Sequence, residues 1–150
     1  MKTRTTILTL LTICLLSLNL LNAQTNDVTK PIDSLKIANN EKLVVLWTSG
    51  DRDVAIKMVF MYTYNAKKYG WWDDITFIVW GPSAKLITED ADLQEYLAEM
   101  LKEGIVAKAC KACSDQYGVS EKLEELGIIV KYMGVELTDY IKEGRHVLTF

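Results

Sequence analysis

The chain has 150 residues, 49% of them apolar and 25% charged, with a formal net charge of -3, which suits one ordinary domain with a full core. Loss of the first 23 residues, which hold Lys2 and Arg4 and no acid, takes the charge to -5 (-3 - 2). A mildly acidic chain without a basic cluster has no electrostatic footing for nucleic acid.

Residues 1–23 read as a signal peptide. Lys2 and Arg4 make a positive start, residues 7–21 are Leu-rich, and Leu21-Asn22-Ala23 precedes a polar Gln24, which places cleavage after Ala23. An uncleaved anchor fits less well, because the apolar run is short of the ~20 residues that cross a bilayer and is interrupted by Thr, Ser and Asn. The expectation is an exported protein, periplasmic or extracellular, with no membrane attachment after cleavage. Cys14 lies inside the leader, so the mature chain keeps only Cys110 and Cys113. Residues 24–42, polar and containing Pro31 and Asn39-Asn40, form a linker. The domain occupies 43–150.

Residues 43–47 are continuously apolar, as in a strand covered on both faces. The turn Thr48 to Asp53 offers Asp51 or Asp53 as a cap for the next helix. Over 54–68, Val54, Met58, Tyr62 and Ala66 form one apolar stripe, and Ile56, Phe60 and Tyr64 a second. A helix apolar on two faces buries both. The second face is then met either by another subunit or by the linker. A second strand over 75–80 ends in Trp80-Gly81-Pro82-Ser83, and 89–103 is a helix with a Leu93, Tyr96, Leu97, Met100, Leu101 stripe. A third strand, 105–109, delivers Cys110-Lys111-Ala112-Cys113 into a short helix ending at Gly118. Another short helix, a fourth strand (128–133), a final helix (135–143) and a fifth strand (145–150) complete the chain. Strands alternating with helices through short links imply a three-layer α/β/α domain around a five-stranded, mainly parallel sheet.

Ligands and catalytic groups collect at the carboxyl edge of such a sheet. That edge gathers Trp47, Ser49 and Asp51, then Trp80, Pro82 and Ser83, then Cys110, Lys111 and Cys113, and finally Met133. There is neither G-x-G-x-x-G nor G-x-x-x-x-G-K-[ST], so no nucleotide cofactor is expected. Zinc requires four ligands, and the one other soft candidate, His146, opens the last strand at the opposite edge. The same placement removes His146 as a base for a thiol nucleophile.

C-x-x-C at a strand-to-helix junction puts a thiolate among free backbone N–H groups, and Lys108 and Lys111 add positive charge, so a depressed Cys110 pKa is expected. Cys113, one helical turn on, is placed to resolve a disulfide or persulfide on Cys110. Two other readings stay open. The cysteines are structural, as small buried groups or an inert disulfide. Or the chain is a non-enzymatic oligomeric binding protein whose pocket, lined by Trp47, Trp80 and Met133, holds a small ligand. Asp51 then serves as a cap, and Ser49 and Ser83 offer hydroxyls to a small anion.

Trp80-Gly81-Pro82-Ser83 with Lys85-Leu86, Ala109-Cys110 with Cys113 and Gly118, Gly127-Ile128, Tyr132-Met133-Gly134, Leu137-Thr138 and the closing Val147 to Phe150 resemble the DsrE/DsrF-like sulfur-relay family, in order, from about Lys42 to Phe150. The resemblance implies the α/β/α fold, assembly into trimers or hexamers, and a persulfide carried on the cysteine after the third strand, here Cys110, for delivery from a donor to an acceptor protein. The pattern departs from the family at two points. The better understood members act in the cytosol, and Cys113 allows a persulfide on Cys110 to collapse to a disulfide with loss of sulfide.

Overall fold

The structure, a computed structural model, describes residues 42–150. The expected signal peptide and nearly all of the linker lie outside the described residues.

Strands β1 (Lys42–Trp47), β2 (Asp74–Val79), β3 (Val106–Cys110), β4 (Ile129–Lys131) and β5 (His146–Thr149) form one sheet in the order β4-β3-β2-β1-β5, every pairing parallel. The expected α/β fold is the observed one. Helix α1 spans 52–68, α2 is Pro82–Glu89, α3 Ala91–Lys102, α4 Lys111–Tyr117, α5 Ser120–Glu125 and α6 Met133–Lys142. The chain steps outward from β1 to β4 and then returns past β1 to β5. Right-handed crossovers therefore put α1 to α5 on one face and α6 alone on the other.

The side-chain alternation of the strands records this asymmetry. Leu43, Val45, Trp47, Ile75, Phe77, Val79, Ala107 and Ala109 point to the main core beneath α1 to α5. Val44, Ile78 and Cys110 point the other way, where Met133 and Tyr140 of α6 cover them. The sparse face leaves Val106, Ile129 and Val147 exposed at 41%, 51% and 37%.

Helix α1 departs from a regular 3.6-residue repeat. It is α-helical over Arg52–Val54, π-helical over Ala55–Phe60 and α-helical again over Met61–Lys68. Bonding from i to i+5 widens the turn, so residues four apart no longer superimpose. Ala55, Val59, Phe60, Thr63 and Ala66 face the core, whereas Met58, expected in the buried stripe, is 51% exposed. The second expected stripe is met within the same chain: Phe60 and Tyr64 both pack on Tyr96 of α3, with ring centroids 5.5 and 5.6 Å apart. Neither the linker nor another subunit is needed to cover it.

Helix α2 is an element that periodicity misses, because eight residues with Pro82 near the start read as a loop. Proline in the first turn is preorganised for helix and its missing N–H costs nothing there. Asp90 closes α2 and caps α3, accepting from Leu93 N at 3.1 Å. Trp47, wholly buried, packs edge-on to Phe60 and stacks on Phe77. Its indole N–H meets no hydrogen-bond acceptor among the described residues.

The π-helical register predicts a contrast within α1. Phe60→Ala should destabilise by about 3–5 kcal/mol through a core cavity, and Met58→Ala by less than about 0.5 kcal/mol, measured by urea unfolding. Comparable losses at both positions would mean that α1 keeps an unbroken α-helical register.

Candidate functional site

Four of the expected site residues, Cys110, Cys113, Trp80 and Met133, converge at the carboxyl end of β3. Cys110 ends the strand and is the N-cap of α4, with an extended backbone (φ -73°, ψ 110°) and no capping bond from its side chain. Cys113 lies in the first turn of α4. Both thiols are free, and Cys113 packs against the apolar cluster that holds Cys110. Residues three apart on a helix have Cβ atoms about 5–6 Å apart, so a modest adjustment brings them to the roughly 3.8 Å of a disulfide. Trp80 packs beside them on the sparse face, with Leu46 and Leu137.

Exposure divides the thiols unequally. Cys110 is 5% exposed, beneath Met133 and Tyr140, whereas Cys113 is half-buried. Burial pushes the Cys113 thiol up. The backbone N–H of Gly81, which faces its sulfur, works against that rise, and the neighbouring Cys110 adds to it. Gly81 holds this position with φ +70° and ψ -134°, a region that L side chains seldom adopt.

Several expected ligand-facing residues serve the fold instead. Trp47 is in the main core and Met133 is fully buried, so the expected pocket between Trp47, Trp80 and Met133 is absent: Trp47 and Met133 lie in clusters on opposite faces of the sheet. Ser83 is also fully buried; its hydroxyl donates to Trp47 O at 2.6 Å and accepts from Trp80 N at 3.0 Å, tying β1 to the end of β2. Asp51 caps α1 by accepting from Val54 N at 3.0 Å, and Ser49 Oγ accepts from Asp51 N at 3.1 Å. Pro82 is exposed and lines an open groove of about 270 Å³ with Gly50, Lys85, Leu86, Glu89 and Tyr117.

The lysines beside Cys110 do not offer it unmatched charge. Lys111 donates to Asp115 at 2.9 Å, and that bond raises its pKa. Lys108 is two residues before Cys110 on the same face of β3 and donates to Glu136 and, at 2.8 Å, to Tyr140 Oη. Glu136, on α6, also accepts from Tyr140 Oη and pairs with Lys131 of β4. Burial disfavours its charge, but hydrogen bonds from Lys108, Lys131 and Tyr140 outweigh burial and lower its pKa from 4.5 to about 2. The guanidinium of Arg145 lies over the Tyr140 ring, 4.1 Å from its centre.

Glu136 and Tyr140 were not singled out by the sequence reading. Two signals pointed to them: a lysine inside an apolar strand needs a partner, and Glu136 and Tyr140 stand four apart on one helix face. His146 packs against Trp72 at 5.0 Å and pairs in register with Leu43, at the opposite edge from the thiols. Among the described residues no group of three or more His, Cys, Asp or Glu is placed to hold a metal ion. No described helix is long and apolar enough to cross a membrane.

The model of the DsrE/DsrF-like family matches residues 42–150. Among solved structures, a conserved protein of unknown function from Bacteroides thetaiotaomicron is similar at 42% identity and a TM-score of 0.71, covering 73% of this chain and 95% of that one. The YchN protein of Escherichia coli shares the fold at 16% identity and a TM-score of 0.58, covering 74% of this chain and 99% of its own. No functionally curated protein matches the chain.

The Glu136 pKa carries a prediction with a definite sign. A carboxylate ionising at about 2 when folded and near 4.5 when unfolded contributes stability that is complete above about pH 5 and is lost as the pH falls toward 2. Glu136→Gln should therefore be less stable than the wild type at pH 7, by up to about 3 kcal/mol, with most of that difference gone near pH 2. A difference that does not shrink on acidification would contradict this assignment.

Proposed function

The chain belongs to the DsrE/DsrF-like family, and on that footing we propose that it is an exported thiol protein of sulfur metabolism in which Cys110 accepts sulfur and Cys113 resolves it. The observation that carries this reading is the pair itself: two free thiols three residues apart at the end of β3, packed in one cluster.

The Cys110 thiolate attacks a sulfane sulfur of a donor. A Cys110 S–S bond forms, the donor's S–S bond breaks, and its electron pair leaves on the donor thiolate. The Cys110 persulfide then has two fates. An acceptor thiolate takes the outer sulfur and returns Cys110 as a thiolate. Or the Cys113 thiolate attacks Cys110 Sγ, and the outer sulfur leaves as hydrosulfide, its oxidation state falling from zero to -2 as the two thiols become a disulfide. A Cys113 thiol held protonated by burial favours the first fate; an approaching base favours the second. Donor and acceptor are thiol or persulfide proteins of the same extracytoplasmic compartment.

A homo-oligomer, trimeric or hexameric, forms part of the same proposal. Its support is the sparse face: strands of parallel sheets are ordinarily covered on both sides, yet Val106 and Ile129 are open to solvent beside α6. A second copy of the chain is the occupant.

Two tests follow from this reading. Reduced protein exposed to inorganic polysulfide should gain sulfur by intact mass, in amounts removed by reductant. Cys110→Ser should abolish the gain, and Cys113→Ser should prolong the persulfide's lifetime. Unchanged mass in the wild type, or a gain indifferent to Cys110→Ser, would contradict it. For the assembly, light scattering should find an oligomer that Val106→Lys with Ile129→Lys dissociates; a wild-type monomer would refute that part alone.

A further inference from the structure

Cys110 must be reached by another molecule's sulfur, yet it is 5% exposed. Its cover is α6. Met133 and Tyr140 of that helix, with Leu137, enclose the thiol together with Val44, Ile78 and Trp80. The apolar contribution of α6 is small, since Val135 and Ile141 point to solvent. What else fastens the helix is polar and centred on one side chain. Glu136 receives Lys108 from β3, Lys131 from β4 and Tyr140 from its own helix. Lys108 reaches Tyr140 Oη as well, at 2.8 Å. The ionic contacts to the sheet therefore come from β3 and β4, the strands nearest the thiol.

We propose that α6 is a lid over Cys110 and that Glu136 is the latch that holds it, so that opening of α6 sets the rate at which Cys110 meets sulfur donors. The proposal rests on the reading of Cys110 as the sulfur-accepting thiol and names how that thiol is regulated. Glu136 is a positioning residue: it acts through the helix and does not touch the reacting atoms. Opening separates Glu136 from two cations and exposes Lys108, without requiring the main core beneath α1 to α5 to change. Local opening of this kind lies below global unfolding in free energy. A polyanionic partner that competes for Lys108 and Lys131 would open the lid, and this gives a donor protein a way to gain access on docking.

The experiment is iodoacetamide labelling of the reduced full chain under native conditions, with each cysteine read separately after trypsin digestion. Cleavage at Lys108 and Lys111 puts Cys110 and Cys113 on different peptides and keeps Cys14 apart. In the wild type Cys113 should label faster than Cys110. Glu136→Gln should speed Cys110 by about 10- to 100-fold, the span that loss of a charged hydrogen bond implies for a local closing equilibrium. Cys113 should change by less than about twofold, within the ±0.5 kcal/mol of an uninvolved site. Glu136→Asp should restore part of the protection. Salt near 1 M should speed Cys110 in the wild type and have little effect in Glu136→Gln, because there is less left to screen.

An unchanged Cys110 rate in Glu136→Gln overturns the proposal. So does a parallel rise at Cys113, which reports general loosening. Faster Cys110 labelling without sulfur uptake from polysulfide leaves the latch standing and removes the sulfur-carrier reading. Sulfur uptake on Cys110 with labelling indifferent to Glu136 does the reverse.

Discussion

Lys108 sits inside a strand, beneath a helix, and its ammonium has to be matched by an anion. Lysine is almost never buried unpaired, and removal of one partner from such a pair leaves a charge stranded in a poor solvent. Glu136 is that anion. Because Lys108 and Cys110 are two residues apart on β3, they share a face, and the helix that neutralises the lysine necessarily covers the thiol. One helix thus both pairs Lys108 and covers Cys110, and Lys108 acts with Lys131 and Tyr140 to lower the Glu136 pKa.

The same constraint explains the two unlike sides of the sheet. On the crowded side, aromatic and aliphatic packing over Trp47, Phe60 and Phe77 holds α1 to α3 in place. That contribution is non-directional and survives small displacements. On the sparse side a single helix is fastened by a few apolar contacts and a charged network, which is directional and falls away once its geometry is lost. The cysteines lie next to the side that the smaller and more directional set of contacts holds.

Much of this architecture was legible in the sequence. Continuous apolar strands alternating with helices led to the parallel sheet, and the strand direction alone separated His146 from Cys110. Two local features escaped the pattern. The π-helical segment of α1 shifts the register, which turned Met58 outward and left the second stripe to Tyr96. The Pro82 helix is too short to show a period. At the site, the C-x-x-C junction was visible because its spacing is a local property. The closing of Cys110 by α6 was not, because it depends on a contact across 28 residues between Lys108 and Glu136. Trp47 and Ser83 stand at or just past strand ends, where ligand groups are expected; the aromatic cluster and the β1 to β2 tie claim them instead.

The proposed sulfur chemistry needs Cys110 and Cys113 to form a working thiol–disulfide couple. Its most direct test is equilibration of the chain across thiol–disulfide buffers of graded potential, followed by acid quench and mass mapping. One two-electron transition should join Cys110 to Cys113, with a midpoint above about -300 mV, where exchangeable disulfides lie. Absence of that bridge at every potential, or a midpoint well below that value as in an inert structural disulfide, would contradict it.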